Sequence, residues 1–273
     1  MASSDQEVVS DAVDKLPGLK RFYKYYRFNK LDEENRERIR GILNENKLYF
    51  PSPTEFNDPF DSKVRYVYEG TKNQRKQFLL QKYRLIYPQA RDVELRHLVK
   101  TIIKDGKDEE VMLTTAEEIS DNRKKMGIFS MTQKKDDILM WAHYAYNHTG
   151  FCLEFDATSI FFRTAFPIKY EPNLPILNII ISYHPVDEAE KLLTKANDWE
   201  YEAEWRLIDY EDGPGFKYFP PEALTGVIFG CKMIEEDMHE IIQWCMKRNP
   251  RPKLFRAKEK EKEFGLDVFE IDY

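Results

Sequence analysis

The 273-residue sequence lacks most of the features that announce a mechanism. Its three cysteines, Cys152, Cys231 and Cys245, are far apart and form no CxxC pair, which argues against a disulfide framework and against a zinc site. No apolar run approaches the roughly 18 residues that cross a bilayer. The opening segment, Met1 to Lys15, is polar and acidic, without the apolar stretch of a signal peptide. The expected location is therefore the cytoplasm, with no membrane partner. An excess of positive charge is missing too: the net charge is −6, which argues against a general nucleic-acid-coating protein while leaving room for a local basic groove. There is no Gly-rich phosphate loop, no nucleophile elbow and no HExxH, so P-loop, α/β-hydrolase and zincin chemistries are set aside.

What is present is a chain long enough to bury roughly three quarters of its unfolded surface without a staple. Aromatic RFYKYYRF at 21–28 reads as a strand. Asp32 caps a helix through about Leu43. Strands follow at 47–51, 127–132, 151–156, 166–171, 176–182, 201–210, 224–231, 253–256 and 266–273. Helices are expected at 137–148, 187–197 and 235–248. Segment 63–125 is charged and mostly helical. There is no regular βαβ alternation. The expected fold is α+β, a mixed, mostly antiparallel sheet with packed helices. A disordered tail at 1–15 precedes a single domain at 16–273, with a helical insertion at about 63–125.

Several segments combine polar groups in ways that suit a site. If 201–210 is a strand, Tyr201, Ala203, Trp205 and Leu207 face one side, and Glu202, Glu204 and Arg206 the other. That displays two carboxylates and a guanidinium in a row, or else forms a solvent-facing ladder in which Arg206 pairs with a carboxylate. Ser130 and Thr132 share one face of their strand. Arg27 carries a planar fork suited to phosphate, with Lys24 as the other cation and Tyr23 or Tyr25 available to stack on a base; a surface ion pair is the alternative for Arg27. In FNDPFD (56–61), Asn57 and Asp58 before Pro59 favour a tight turn. The loop either grips a ligand through Asn57, Asp58 and Asp61 or is purely structural, with Phe56 and Phe60 anchored in the core. His143 and Tyr144 sit beside Trp141 and line either a pocket or the core. His143 and His148 are five residues apart, off the spacing that puts two metal ligands on one helical face, and no metal is expected.

Three of these segments, FNDPFD at 56–61, MWAHYAYNHTGFCLEFD at 140–156 and WEYEAEWRL at 199–207, resemble the signatures of a widespread bacterial family catalogued only as a domain of unknown function. A remoter resemblance is to the ADP-ribosyltransferases, which place an Arg or His on a first strand, a Ser-x-Ser/Thr element on a later strand and a Glu-x-Glu near the end. Here these correspond to Arg27 in YYRF, Ser130-Met131-Thr132 in FSMT and Glu202-Ala203-Glu204 in YEAEWR. The resemblance implies NAD as substrate and an unknown macromolecular acceptor, protein or nucleic acid, in a toxin or phage-defence effector. Catalysis would fall to Glu204, stabilising the oxocarbenium-like charge, and Glu202, orienting or deprotonating the acceptor. Arg27, Lys24, Tyr25, Ser130, Thr132, Asn57, Asp58, His143 and Tyr144 would bind NAD. Two alternatives stay open: a non-catalytic module that binds a nucleotide or a protein, and a metal-dependent nuclease using Asp58, Asp61, Glu154 and Glu204.

Overall fold

The computed structural model describes residues 18–181 and 191–272. In chain order its elements begin β1 (Arg21–Tyr26), α1 (Glu33–Glu45), β2 (Lys47–Phe50), β3 (Arg65–Val67), α2 (Lys72–Ile86), α3 (Asp92–Lys104) and α4 (Asp108–Lys124). They continue β4 (Gly127–Thr132), α5 (Ile138–Tyr144), β5 (Phe151–Asp156), β6 (Phe166–Pro167), β7 (Lys169–Glu171), β8 (Ile176–Asn178) and β9 (Thr194–Ala196). The last are β10 (Glu204–Asp209), β11 (Gly215–Tyr218), β12 (Leu224–Phe229), α6 (Glu235–Met246), β13 (Lys253–Glu259) and β14 (Leu266–Glu270). The chain divides into two compact units, one of residues 1–52, 127–168 and 198–273, the other of 53–126 and 169–197.

The first unit is built on an eight-stranded sheet in the order β14-β13-β12-β5-β1-β4-β10-β6. Every pairing is antiparallel except β12 with β13. The sheet is therefore mixed and mostly antiparallel, as the sequence led one to expect. Strand alternation sorts its two faces. Phe22, Phe129, Met131, Phe151, Leu153, Phe155, Trp205, Leu207, Val227 and Phe229 point to one side, under Ile39, Ile42 and Leu43 of α1 and Ile241, Ile242 and Trp244 of α6. Tyr23, Tyr25, Cys152 and Ile228 point to the other, under Met140, Trp141 and Ala145. Asp32 caps α1 by accepting from the Asn35 amide. Asp137 caps α5 by accepting from the amides of Leu139 and Met140, which fixes where α5 starts on the second face.

The second unit carries α2, α3 and α4, whose Phe78, Leu79, Val99, Ile102, Met112 and Ile119 pack with Leu177, Ile179 and Ile180. Two small parallel pairs, β3 with β8 and β7 with β9, belong to it. Among the described residues no helix is long and apolar enough to cross a membrane.

Several expectations meet a different structure or none. Residues 1–15 lie outside the described residues, as do 187–190 of the expected helix at 187–197 and residue 182 of the expected strand at 176–182. Residues 191–192 are helical, and beyond them the expected helix is replaced at Thr194–Ala196 by a strand and then by a 3₁₀ turn. The helix expected to run to His148 stops at Tyr144, because Tyr146, Asn147 and His148 adopt left-handed backbone, with φ of 50°, 57° and 70°. Phe60 is not a core residue but 61% exposed; the Asp58 side chain folds the loop back by accepting from the Phe60 amide and leaves the ring outside.

Candidate functional site

The polar residues of the second sheet face gather around β10. In register, Glu204 lies beside Thr132, Thr132 beside Tyr23, and Tyr23 beside Glu154, giving one row across β10, β4, β1 and β5. One step along, Arg206 lies beside Ser130. Arg206 grips Glu204 with two contacts, Nε to Oε1 at 2.7 Å and Nη2 to Oε2 at 3.2 Å. Both side chains are almost fully buried, at 1% and 6% exposure. The pair thus sits inside the fold, where the two charges are tied to each other rather than to water. The picture of a solvent-facing ladder is corrected.

Glu202 is not a strand residue. A 3₁₀ turn covers Asn197–Glu202, and the chain enters β10 through Ala203, whose φ is +44°. That left-handed residue breaks the strict alternation, yet it delivers Glu202 to the same cluster. The Tyr144 hydroxyl donates to Glu202 Oε1 at 2.5 Å, and the Thr132 hydroxyl donates to the Glu202 carbonyl at 2.5 Å. Burial, followed by the neighbouring Glu202 carboxylate, pushes the Tyr144 phenol well above its ordinary range, so it stays protonated and donates. At the rim, His143 Nδ1 and the Tyr201 hydroxyl are 2.9 Å apart, and Trp199 lies beside Tyr201 with ring centroids 6.1 Å apart. His143 is exposed and Tyr201 half-buried, so this aromatic edge faces outward.

The row ends in a second polar knot. Glu154 accepts from Arg21 Nε at 3.2 Å, from the Tyr23 hydroxyl at 3.2 Å and from the Thr225 hydroxyl at 2.8 Å. The alternation of FCLEFD, with its phenylalanines on one face, was the signal that Glu154 turns to the other.

The other sequence candidates fall elsewhere. Arg27 lies beyond the end of β1, exposed and paired with Asp32 at 3.4 Å. It is four residues past Tyr23, or about 13 Å along a strand, and the structure does not bring it to Glu204. The two β4 hydroxyls are in the cluster: Ser130 is half-buried and Thr132 buried. Tyr25 is a core residue, edge-on to Trp141 at 5.0 Å, its hydroxyl donating to the Lys134 carbonyl at 2.8 Å. Lys24 points to the opposite face, over the Phe129 ring at 5.1 Å. Asn57 and Asp58 belong to the second unit; Asn57 is exposed, and Asp58 makes the turn described above. In that unit Asp61 lies 3.7 Å from Lys195, both buried. Among the described residues no group of three or more His, Cys, Asp or Glu side chains is gathered to hold a metal.

Residues 140–207 match the family model described as Protein of unknown function (DUF2971). The match takes in α5, β5, the 3₁₀ turn and β10 as far as Leu207, and so bears out the family resemblance read from segments 140–156 and 199–207. No curated protein and no solved structure matches the chain. A likeness to ADP-ribosyltransferases is not among these findings.

Proposed function

We propose that the chain is a cytoplasmic, NAD-consuming, ADP-ribosyltransferase-like protein acting on a macromolecular acceptor, as a toxin or phage-defence effector. One observation carries the reading. Strand β10, which carries Glu204, β4, which carries Ser130 and Thr132, and β1, which runs out just before Arg27, are immediate neighbours in the order β10-β4-β1, with Glu204, Thr132 and Tyr23 in a single row on one face. Elements separated by more than 70 residues of sequence meet there. The cation of β1 nearest this row is Arg21 rather than Arg27, since Arg21 and Tyr23 share the Glu154 carboxylate.

In this reading the bond between the nicotinamide nitrogen and the ribose breaks, and its electron pair leaves with nicotinamide. Glu204 stabilises the positive charge that develops on the ribose. An acceptor nucleophile bonds to the same carbon, and Glu202 takes its proton. Arg206 orients Glu204, and Tyr144 orients Glu202. Incubation of the protein with NAD, with nicotinamide and ADP-ribosylated products measured by chromatography and mass spectrometry, tests the reading. Free nicotinamide is expected. Unchanged NAD with no measurable binding would end it.

The second reading, a non-catalytic nucleotide- or protein-binding module, is favoured by the tight Arg206–Glu204 pairing, which leaves that carboxylate engaged. It predicts NAD binding, or protein capture, without nicotinamide release.

A further inference from the structure

The polar cluster of the first unit is covered. Glu204 and Arg206 are 5% and 0% exposed, and Glu202 3%. Two pieces of chain lie at their edge, helix α5 and the turn ending at Glu202. The links between these pieces include side chains at their tips, Tyr144 donating to Glu202 at 2.5 Å and His143 meeting Tyr201 at 2.9 Å, and Tyr144 and Tyr201 both pack against the Met140–Trp141 cluster. Each piece joins the sheet through left-handed backbone built without glycine. The turn enters β10 at Ala203, with φ +44°, and α5 is followed by Tyr146, Asn147 and His148, with φ of 50°, 57° and 70°. Left-handed non-glycine residues persist only where surrounding contacts hold them, so releasing those contacts favours rearrangement at these same points. The His143 end of the linkage is exposed, and therefore exchanges its bond with water at little loss.

We propose that the turn Asp198–Glu202 is a strap that closes over the Glu204–Arg206 pair. It is latched to α5 by Tyr144 and His143, and it opens by pivoting at Ala203 while the sheet stays folded. Closed, the strap holds Glu202 against Tyr144 and keeps water from the ion pair. Open, it exposes Glu202, Glu204, Thr132 and Ser130 together. The Thr132 hydroxyl, which donates to the Glu202 carbonyl in the closed form, is released to a ligand. The strap regulates access to the same residues named above. Its existence requires only the geometry of the latch, whereas its value as a gate for NAD rests on the proposed function.

Hydrogen–deuterium exchange followed by mass spectrometry tests the strap, with no NAD present. The comparison is between wild type, Tyr144→Phe and Tyr201→Phe, the last a rim variant that removes only a half-buried hydroxyl. Peptides covering 198–204 should exchange about tenfold faster in Tyr144→Phe, the effect of one lost hydrogen bond on a local opening, and by a smaller factor in Tyr201→Phe. Peptides covering β12 (224–229) serve as the internal reference and should be unchanged. Equal acceleration of 198–204 and β12 would mean that the segment opens only when the whole unit unfolds. Unchanged exchange of 198–204 in both variants would mean that the contacts are no latch. Either result overturns the strap. Because NAD is left out, a strap that opens in a protein that never releases nicotinamide stands while the transferase reading falls.

Discussion

At the scale of single residues, burial decides what substitutions do. Glu204→Gln takes away the charge that balances Arg206 in a nearly water-free position. Breaking a buried pair on one side costs up to about 3–5 kcal/mol, because a buried positive charge loses an ion-pair partner. A clear drop in melting temperature is expected, and Glu204→Gln combined with Arg206→Met should recover much of it. A single variant as stable as wild type would mean that the pair is hydrated in solution. Trp141 is fully buried between β1 and the Gly150 turn, so Trp141→Ala should cost about 3–5 kcal/mol in denaturant unfolding. Phe60→Ala should be close to neutral, given its exposed ring. At Tyr146, 58% exposed with φ +50°, glycine removes left-handed strain that a side chain imposes, and part of the gain is offset by the extra freedom of the unfolded chain. A net stabilisation of about 0.5–1 kcal/mol is expected for Tyr146→Gly; a fall in stability of that size would show that the tyrosine contributes packing that outweighs the strain.

At the scale of elements, the segment from α5 through the left-handed turn to β5 behaves as one unit. The His148 carbonyl accepts from the Lys232 amide at 3.1 Å, and a Cβ on Gly230 would lie 2.1 Å from that oxygen, which accounts for a glycine directly after β12. The His148 ring stacks on Trp141, with buried Nδ1 lacking a hydrogen-bond partner. Burial, and after it the Lys232 charge, lowers its pKa, with Glu259 pulling the other way. The unfolded chain then binds this proton more readily than the folded one. The stability due to neutral His148 is fully present above the ordinary histidine value of about 6.5 and is lost as pH falls from there through the lowered folded value. Urea midpoints measured between pH 8 and 5 should decline in wild type and decline less in His148→Phe. Parallel curves for the two proteins would remove His148 as the cause.

Legibility follows the same division. Alternation in FCLEFD and EWRL read correctly because a strand's side-chain period is local. It placed Glu154 away from the phenylalanines and Glu204 with Arg206. The cap at Asp32 is equally local, and for α5 the sequence offers Asp136 or Asp137, of which the structure uses Asp137. Glu202 was misplaced because nothing about an alanine announces the left-handed hinge at position 203. The burial of Glu204 was illegible for another reason: it depends on the region of α5, some 60 residues away in sequence. YYRF puts Arg27 in a strand by pattern alone, but the pairing that ends β1 at Tyr26 is set by β4 and β5. FNDPFD showed its turn and not the direction of its second ring.

At the scale of the whole molecule, the eight-stranded sheet of the first unit has one mostly apolar face, packed under α1 and α6. The other face carries the polar row. This asymmetry sets the row apart: no comparable set of buried charges lies on the α1–α6 side among the described residues. The claim that this row consumes NAD is tested most directly by nicotinamide release from wild type and from the Glu204→Gln/Arg206→Met pair, at equal folded concentration. Wild type should release nicotinamide and the double variant should do so at a rate lower by about a hundredfold or more, since it lacks the charge that, in the proposed reaction, stabilises the oxocarbenium-like state. Release at equal rates from both proteins would contradict it.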